Sequence, residues 1–168
     1  TSEGEIVDFE LTQRMDLATF QAKLVAQLPS NIPLYLVEEV DLKTPSATQC
    51  LTKAEYLLTV TANAEVSLDW WQRWIEAVKT SDKIEIENTT KSGKKQVINL
   101  RDRLFELELQ ESGERPEHSQ ILRYVGSCYN DGNLLKPDHV IYMLQKVASV
   151  DFQLLGSHRR KLILASEV

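Results

Sequence analysis

Cysteine is scarce in this chain. Two thiols, Cys50 and Cys128, stand among 168 residues. They are too few for a disulfide scaffold and share no CxxC spacing, so two reduced thiols in a cytoplasmic protein are expected. The three histidines, His118, His139 and His158, do not fall at the short ligand spacings of zinc sites, so no metal ligands are assigned. Glycine is thin, with six residues scattered along the chain, and no GxxxxGK[ST] phosphate loop or GxSxG nucleophile elbow occurs. No run approaches the roughly 20 apolar residues that span a bilayer, and no membrane partner is expected. Basic charge is also short: 19 Lys and Arg face 25 Asp and Glu, a net of −6. The deficit lies in residues 1–50, which hold 8 acids and 3 bases. Phosphate binding needs clustered cations, so that third is a poor nucleic-acid surface. Its early acids (Glu3, Glu5, Asp8, Glu10) stand where a secretory signal would be basic and then apolar.

What is present is an ordinary globular composition, 42% hydrophobic and 26% charged. Val7, Phe9 and Leu11 alternate with Asp8 and Glu10, the period of a half-buried strand. Asp16 can cap a helix whose stripe is Leu17, Phe20, Leu24 and Leu28, ending between Pro29 and Pro33. Leu34–Val40 reads as a strand. Residues 1–42 therefore form a β-α-β segment, expected to belong to a truncated first subdomain, because so short a unit lacks a core of its own. The chain opens on Thr1 with a strand close behind, and is expected to be a piece of a longer protein.

Residues 43–168 read as a second subdomain. Glu55–Thr61 is a strand. Ser67 can cap a helix with Leu68, Trp71, Ile75 and Val78 on one face. Lys83–Glu87 and Gln96–Leu100 flank a Ser92-Gly93 turn. Leu104–Gln110 alternates, with Phe105, Leu107 and Leu109 inward and Glu106 and Glu108 outward. Gln120–Val125 is a further strand. Pro137 suits the first turn of a helix carrying Val140, Leu144 and Val147. The fold class is α+β, a mostly antiparallel sheet with helices on one face and ferredoxin-like split β-α-β elements.

Two kinds of surface residue stand out. Lys91, Lys94, Lys95, Arg101 and Arg103 gather around one hairpin, and Arg159 and Arg160 form a second basic group. Solvated strand ends explain both. As a contact surface, Lys94, Lys95, Arg101, Arg103, Arg159 and Arg160 would hold an anionic partner, RNA included, through charge-assisted hydrogen bonds. Trp70 and Trp74 flank the Trp71 stripe one turn apart. They read either as a wide buried face or as an aromatic patch that docks a partner. No residue pattern points to catalysis.

The run Val40-Asp41-Leu42-Lys43-Thr44-Pro45-Ser46, then Ala54-Glu55-Tyr56, resembles the radical-SAM-linked domain, a bacterial domain of unknown function. Ile98-Asn99-Leu100-Arg101, the stretch Asn133–Leu144 with Pro137, Arg159-Arg160 and the N-terminal Thr1–Leu11 resemble further parts of that pattern. The resemblance implies an accessory or substrate-recognition domain, fused to or encoded beside a radical-SAM iron–sulfur oxidoreductase. The [4Fe–4S] cluster and S-adenosylmethionine would reside on that catalytic partner. The chain itself has no CxxxCxxC motif, and two cysteines cannot supply three cluster ligands. The other reading is a protein-interaction module that docks a catalytic domain through apolar surface.

Overall fold

A computed structural model describes residues 1–89, 93, 95–110 and 116–165. Two compact units divide the chain: Thr1–Ile6 with Thr48–Val168, and Val7–Ala47.

The larger unit is α+β. After helix α1 (Leu17–Gln27) and the single turn of α2 (Ala47–Cys50), strand β1 (Leu51–Ala62) leads into helix α3 (Leu68–Thr80) and the hairpin β2 (Glu85–Thr89) and β3 (Lys95–Asn99). A 3₁₀ turn (Arg101–Arg103) enters β4 (Leu104–Leu109), followed by β5 (Ser119–Ser127), α4 (Pro137–Ala148) and β6 (Phe152–Leu164). The main sheet has the order β4-β5-β1-β6, antiparallel throughout. Each helix links two strands that run the same way with a third between them. This is the split β-α-β arrangement expected from the sequence, with β2–β3 inserted as a separate two-stranded sheet.

Period-2 alternation selects the covered face. Leu58 and Val60 of β1, Leu122 and Tyr124 of β5 and Leu104 and Leu107 of β4 are buried together with Trp71, Ile75 and Val78 of α3 and Val140, Met143 and Leu144 of α4. Tyr56 and Tyr124, opposite each other in the ladder, stack with ring centroids 5.1 Å apart. Pro137 opens α4 as its spacing implied, and α4 ends at Ser149 in the left-handed region.

Several expectations change. Glu5–Leu11 and Leu34–Val40 form no ladder among the described residues. Alternation says which face a strand would bury, but a strand also needs a neighbour to take its N–H and C=O groups, and these segments find none. Only α1 (Leu17–Gln27) of the expected β-α-β segment forms, capped by Asp16 Oδ1 accepting from the Thr19 N–H at 2.9 Å. Thr1–Glu3 instead lies beside β6: Arg159 donates its N–H to Thr1 O at 3.1 Å and accepts from the Glu3 N–H at 2.9 Å. In β4 the register slips between Leu104 and Glu106, a bulge that turns Phe105 out of the core and leaves Leu104 in its place. Leu68 is half exposed, because helical side chains lean toward the N-terminus and the first one reaches past the core. Ser67 occupies the N-cap of α3 without a side-chain hydrogen bond.

The smaller unit holds α1 and turns. Asp8 Oδ2 accepts from the Ala47 N–H at 2.9 Å, Asp41 Oδ1 accepts from the Lys43 N–H, and Phe9 meets Phe20 edge-on. No residue from Val7 to Ala47 is buried.

Candidate functional site

The face of the sheet opposite the helices carries charge. Arg123, in the centre of β5, donates from Nη2 to Glu55 Oε2 at 2.7 Å and from Nη1 to Glu106 Oε2 at 2.6 Å and Glu108 Oε1 at 3.1 Å. The ladder explains the set: Glu108 lies directly across from Arg123 on β4, and Glu55 lies diagonally on β1. Hydrogen bonds donated to Glu55 and then to Glu106 hold the guanidinium pKa above its ordinary value. The chain of charge continues along β6. Arg160 Nη1 is 4.0 Å from Glu55 Oε1 and its Nε 3.7 Å from Glu3, and His158 Nε2 is 3.2 Å from Glu3. Arg159 pairs with Glu5. The Ser2 hydroxyl chiefly lowers the Glu5 pKa; burial opposes it and Arg159 assists. Burial works against the Arg159 charge, but Glu5 and Tyr56 outweigh it. The Arg123 cluster can hold β4, β5 and β1 together and set a surface pattern of charge.

The expected basic residues do not converge. Lys94 lies outside the described residues. Lys95 Nζ is 3.9 Å from Glu87 on the exposed hairpin. Arg101 spends its fork on main-chain oxygens: Nε and Nη2 donate to Lys79 O at 3.1 and 2.8 Å, and Nη1 to Leu104 O at 2.8 Å. A cation on the last carbonyls of α3 also complements the helix dipole. Arg103 Nη1 donates to Leu134 O at 3.2 Å. Arg101 and Arg103 precede β4 at one edge of the sheet, whereas Arg159 and Arg160 lie on β6 at the other. The two basic groups read from the sequence thus stand at opposite edges of the sheet.

The tryptophans divide as well. Trp74 packs edge-on to Trp71 and Phe152 and belongs to the margin of the core. Trp70 is 51% exposed, with the Arg73 guanidinium 5.1 Å above its ring.

The Cys128 thiol is a poor nucleophile as placed. Cys50 and Cys128 are partly buried and not in a disulfide, and burial pushes the Cys128 thiol pKa up, with Arg159 opposing. Burial likewise raises the pKa of Tyr124, whose hydroxyl donates to Leu135 O at 3.1 Å. Among the described residues no three His, Cys, Asp or Glu side chains gather to hold a metal ion, and no helix is long and apolar enough to cross a membrane.

A groove of about 280 Å³ lies beside β3. Gln96, Val97, Ile98 and Asn99 form one side, and Asp102, Arg103 and Asn133 the other. Neither this groove nor the Arg123 network was singled out from sequence. Glu106 and Glu108 read as a solvated strand face, and only the β4–β5 register reveals that Arg123 stands between them. Asn133 read as part of a loop, Asn130–Asn133, with nothing to link it to a hairpin 35 residues earlier.

The sequence pattern of the bacterial family described as "Uncharacterized protein conserved in bacteria (DUF2344)" matches residues 1–137. The chain belongs to that family. No curated protein matches the chain. Among solved structures, a chain of the "Crystal Structure of a Cbf5-Nop10-Gar1 Complex" is similar at 11% identity and a TM-score of 0.42, over 68% of this chain and 32% of that one. A chain of the "Crystal structure of the archaeal box H/ACA sRNP Nop10-Cbf5 complex" is similar at 13% identity and a TM-score of 0.39, over 68% and 30%. The DUF2344 chain thus spans about a third of the length of the solved chains it matches.

Proposed function

We propose that this DUF2344 chain is a non-catalytic recognition domain that docks on a radical-SAM iron–sulfur oxidoreductase. The observation that carries the reading is the unit Val7–Ala47. It has no buried residue, yet it exposes Phe9 (54%), Leu11, Tyr35 (74%), Leu36, Val40 and Leu42. Apolar surface in that density is characteristic of a face that a partner covers. The motif resemblance around Val40–Ser46 is what favours a radical-SAM enzyme as the partner, and the same residues include the exposed Val40 and Leu42. The chain's two cysteines leave a three-thiolate cluster to that partner. The basic residues on which an RNA contact would rest are not needed for this reading, since Arg101 and Arg103 hold main-chain carbonyls and Arg159 and Arg160 face carboxylates.

Sedimentation of the chain mixed with the radical-SAM catalytic domain encoded with it tests the proposal. A complex at micromolar concentration is expected, weakened at least tenfold by Tyr35→Asp with Leu36→Asp. No complex at 50-fold higher concentration, or one indifferent to both substitutions, overturns it.

A further inference from the structure

The groove beside β3 has an open strand edge along one wall. Among the described residues β3 has a single hydrogen-bonded neighbour, β2. The phase of that pairing follows from the Leu100 N–H donating to Ile84 O at 2.8 Å. In an antiparallel ladder, residues that bond to the partner alternate with residues that face away. Leu100 pairs with Ile84, so Ile98 pairs with Ile86 and Gln96 with Asn88, and Val97 and Asn99 turn their N–H and C=O groups to the groove. The Val97 side chain is 58% exposed. Across the groove, the Asn133 side-chain oxygen is buried and has no donor, an unusual cost for a native structure. Arg103 is held by the Leu134 carbonyl, which fixes its position without neutralising its charge.

Unpaired backbone groups at fixed spacing fit one kind of ligand well: another extended polypeptide. A phosphodiester has acceptors but no matching row of N–H donors. Of the two charged side chains in the lining, Asp102 and Arg103, the Arg103 guanidinium is held by a neutral carbonyl and can meet a carboxylate of such a segment. We propose that the groove accepts an extended, acidic peptide segment of a partner protein as a third strand on β3. Its backbone pairs with Val97 and Asn99, one of its carboxylates meets the Arg103 guanidinium, and Asn133 gains a donor by turning its amide toward a peptide N–H. This site is independent of the docking of Val7–Ala47, because it uses other residues of the other unit, and the two proposals fail separately.

Amide NMR of the whole chain provides the test. The probes are two pools of ten-residue peptides, one with Glu and one with Lys at alternate positions and the remaining positions mixed, and a ten-uridine RNA. The Glu pool is expected to shift the Val97 and Asn99 amide signals and slow their hydrogen exchange at least tenfold. The Lys pool should act at least tenfold more weakly, and the RNA should leave these amides unmoved. Val97→Pro removes an outward N–H without touching the β2 pairing, and should abolish the response while the other amides keep their positions. No response to the Glu pool at 1 mM, an equal response to the Lys pool, a response to RNA at the same amides, or binding that survives Val97→Pro would each overturn the proposal.

Discussion

Gly126 marks the tightest point of the fold, and Gly126→Ala measures how tight it is. A Cβ placed there would lie 2.8 Å from Leu135 Cβ, 2.9 Å from Leu135 Cδ2 and 3.1 Å from Tyr124 Cε2. Ordinary carbon–carbon contact is about 3.5–4.0 Å, so the closest pair is short by about 1 Å. A rotamer change cannot relieve it, because Cβ of Leu135 rides on the backbone. That backbone is pinned: the Leu135 N–H donates to Ser127 O at 2.9 Å and Leu135 O accepts from Tyr124 Oη at 3.1 Å. Leu135 is wholly buried. Overpacking of this kind costs about 1–3 kcal/mol. Replacing a strand glycine returns about 0.5 kcal/mol through the unfolded chain. The net loss of about 0.5–2.5 kcal/mol corresponds to a fall in Tm of roughly 1–10 °C for a chain of this size. Urea unfolding followed by tryptophan fluorescence, to which buried Trp71 contributes, reads it. Leu135→Ala alone should cost about 2–5 kcal/mol by leaving a cavity. The double variant should lose less than the two single losses together by about 1 kcal/mol or more, since each change relieves the other. An unchanged or raised midpoint for Gly126→Ala, or strict additivity of the pair, refutes the reasoning.

Other outcomes follow from the charge network and the helix ends. Arg123→Met leaves Glu55, Glu106 and Glu108 facing one another and should cost about 2 kcal/mol in urea unfolding, part of it recovered in 1 M salt, where exposed charges are screened. Arg101→Ala strips three charge-assisted bonds from Lys79 O and Leu104 O and should lower stability by about 2 kcal/mol, with Arg101→Lys failing to rescue it because an ammonium lacks the planar fork. His139 is held neutral, chiefly by burial and then by Lys136 and Arg103, and its Nδ1 accepts from the Lys136 N–H at 3.3 Å. Its pKa is lowered in the folded chain, so the unfolded chain takes up the proton first. This part of the stability is full above the ordinary value of 6.5 and is lost as the pH falls below it. His139→Gln should flatten the change in urea midpoint between pH 7.5 and 5.5, and an unaltered slope would refute the assignment.

The sequence by itself determined the secondary structure of the larger unit and its fold class. Strand alternation and helical stripes are local, and Trp71, Ile75, Val140 and Leu144 meet the core because their spacing leaves no other face to bury. The charge deficit and the two isolated cysteines were equally plain, since they depend only on composition. Tertiary structure decided everything that rests on register or on the presence of a neighbour. Leu34–Val40 has the pattern of a strand and pairs with no edge among the described residues. Phe105 left the core because one bulge, invisible in the alternation of β4, moved Leu104 into its place. Arg123 became the centre of three carboxylates only when β4 and β1 settled on either side of β5. Arg101 and Arg159 stand apart because β4, which Arg101 precedes, and β6, which carries Arg159, are placed at opposite edges of one sheet. A residue's period is a property of its own segment, whereas its partners are chosen by the segments folded against it.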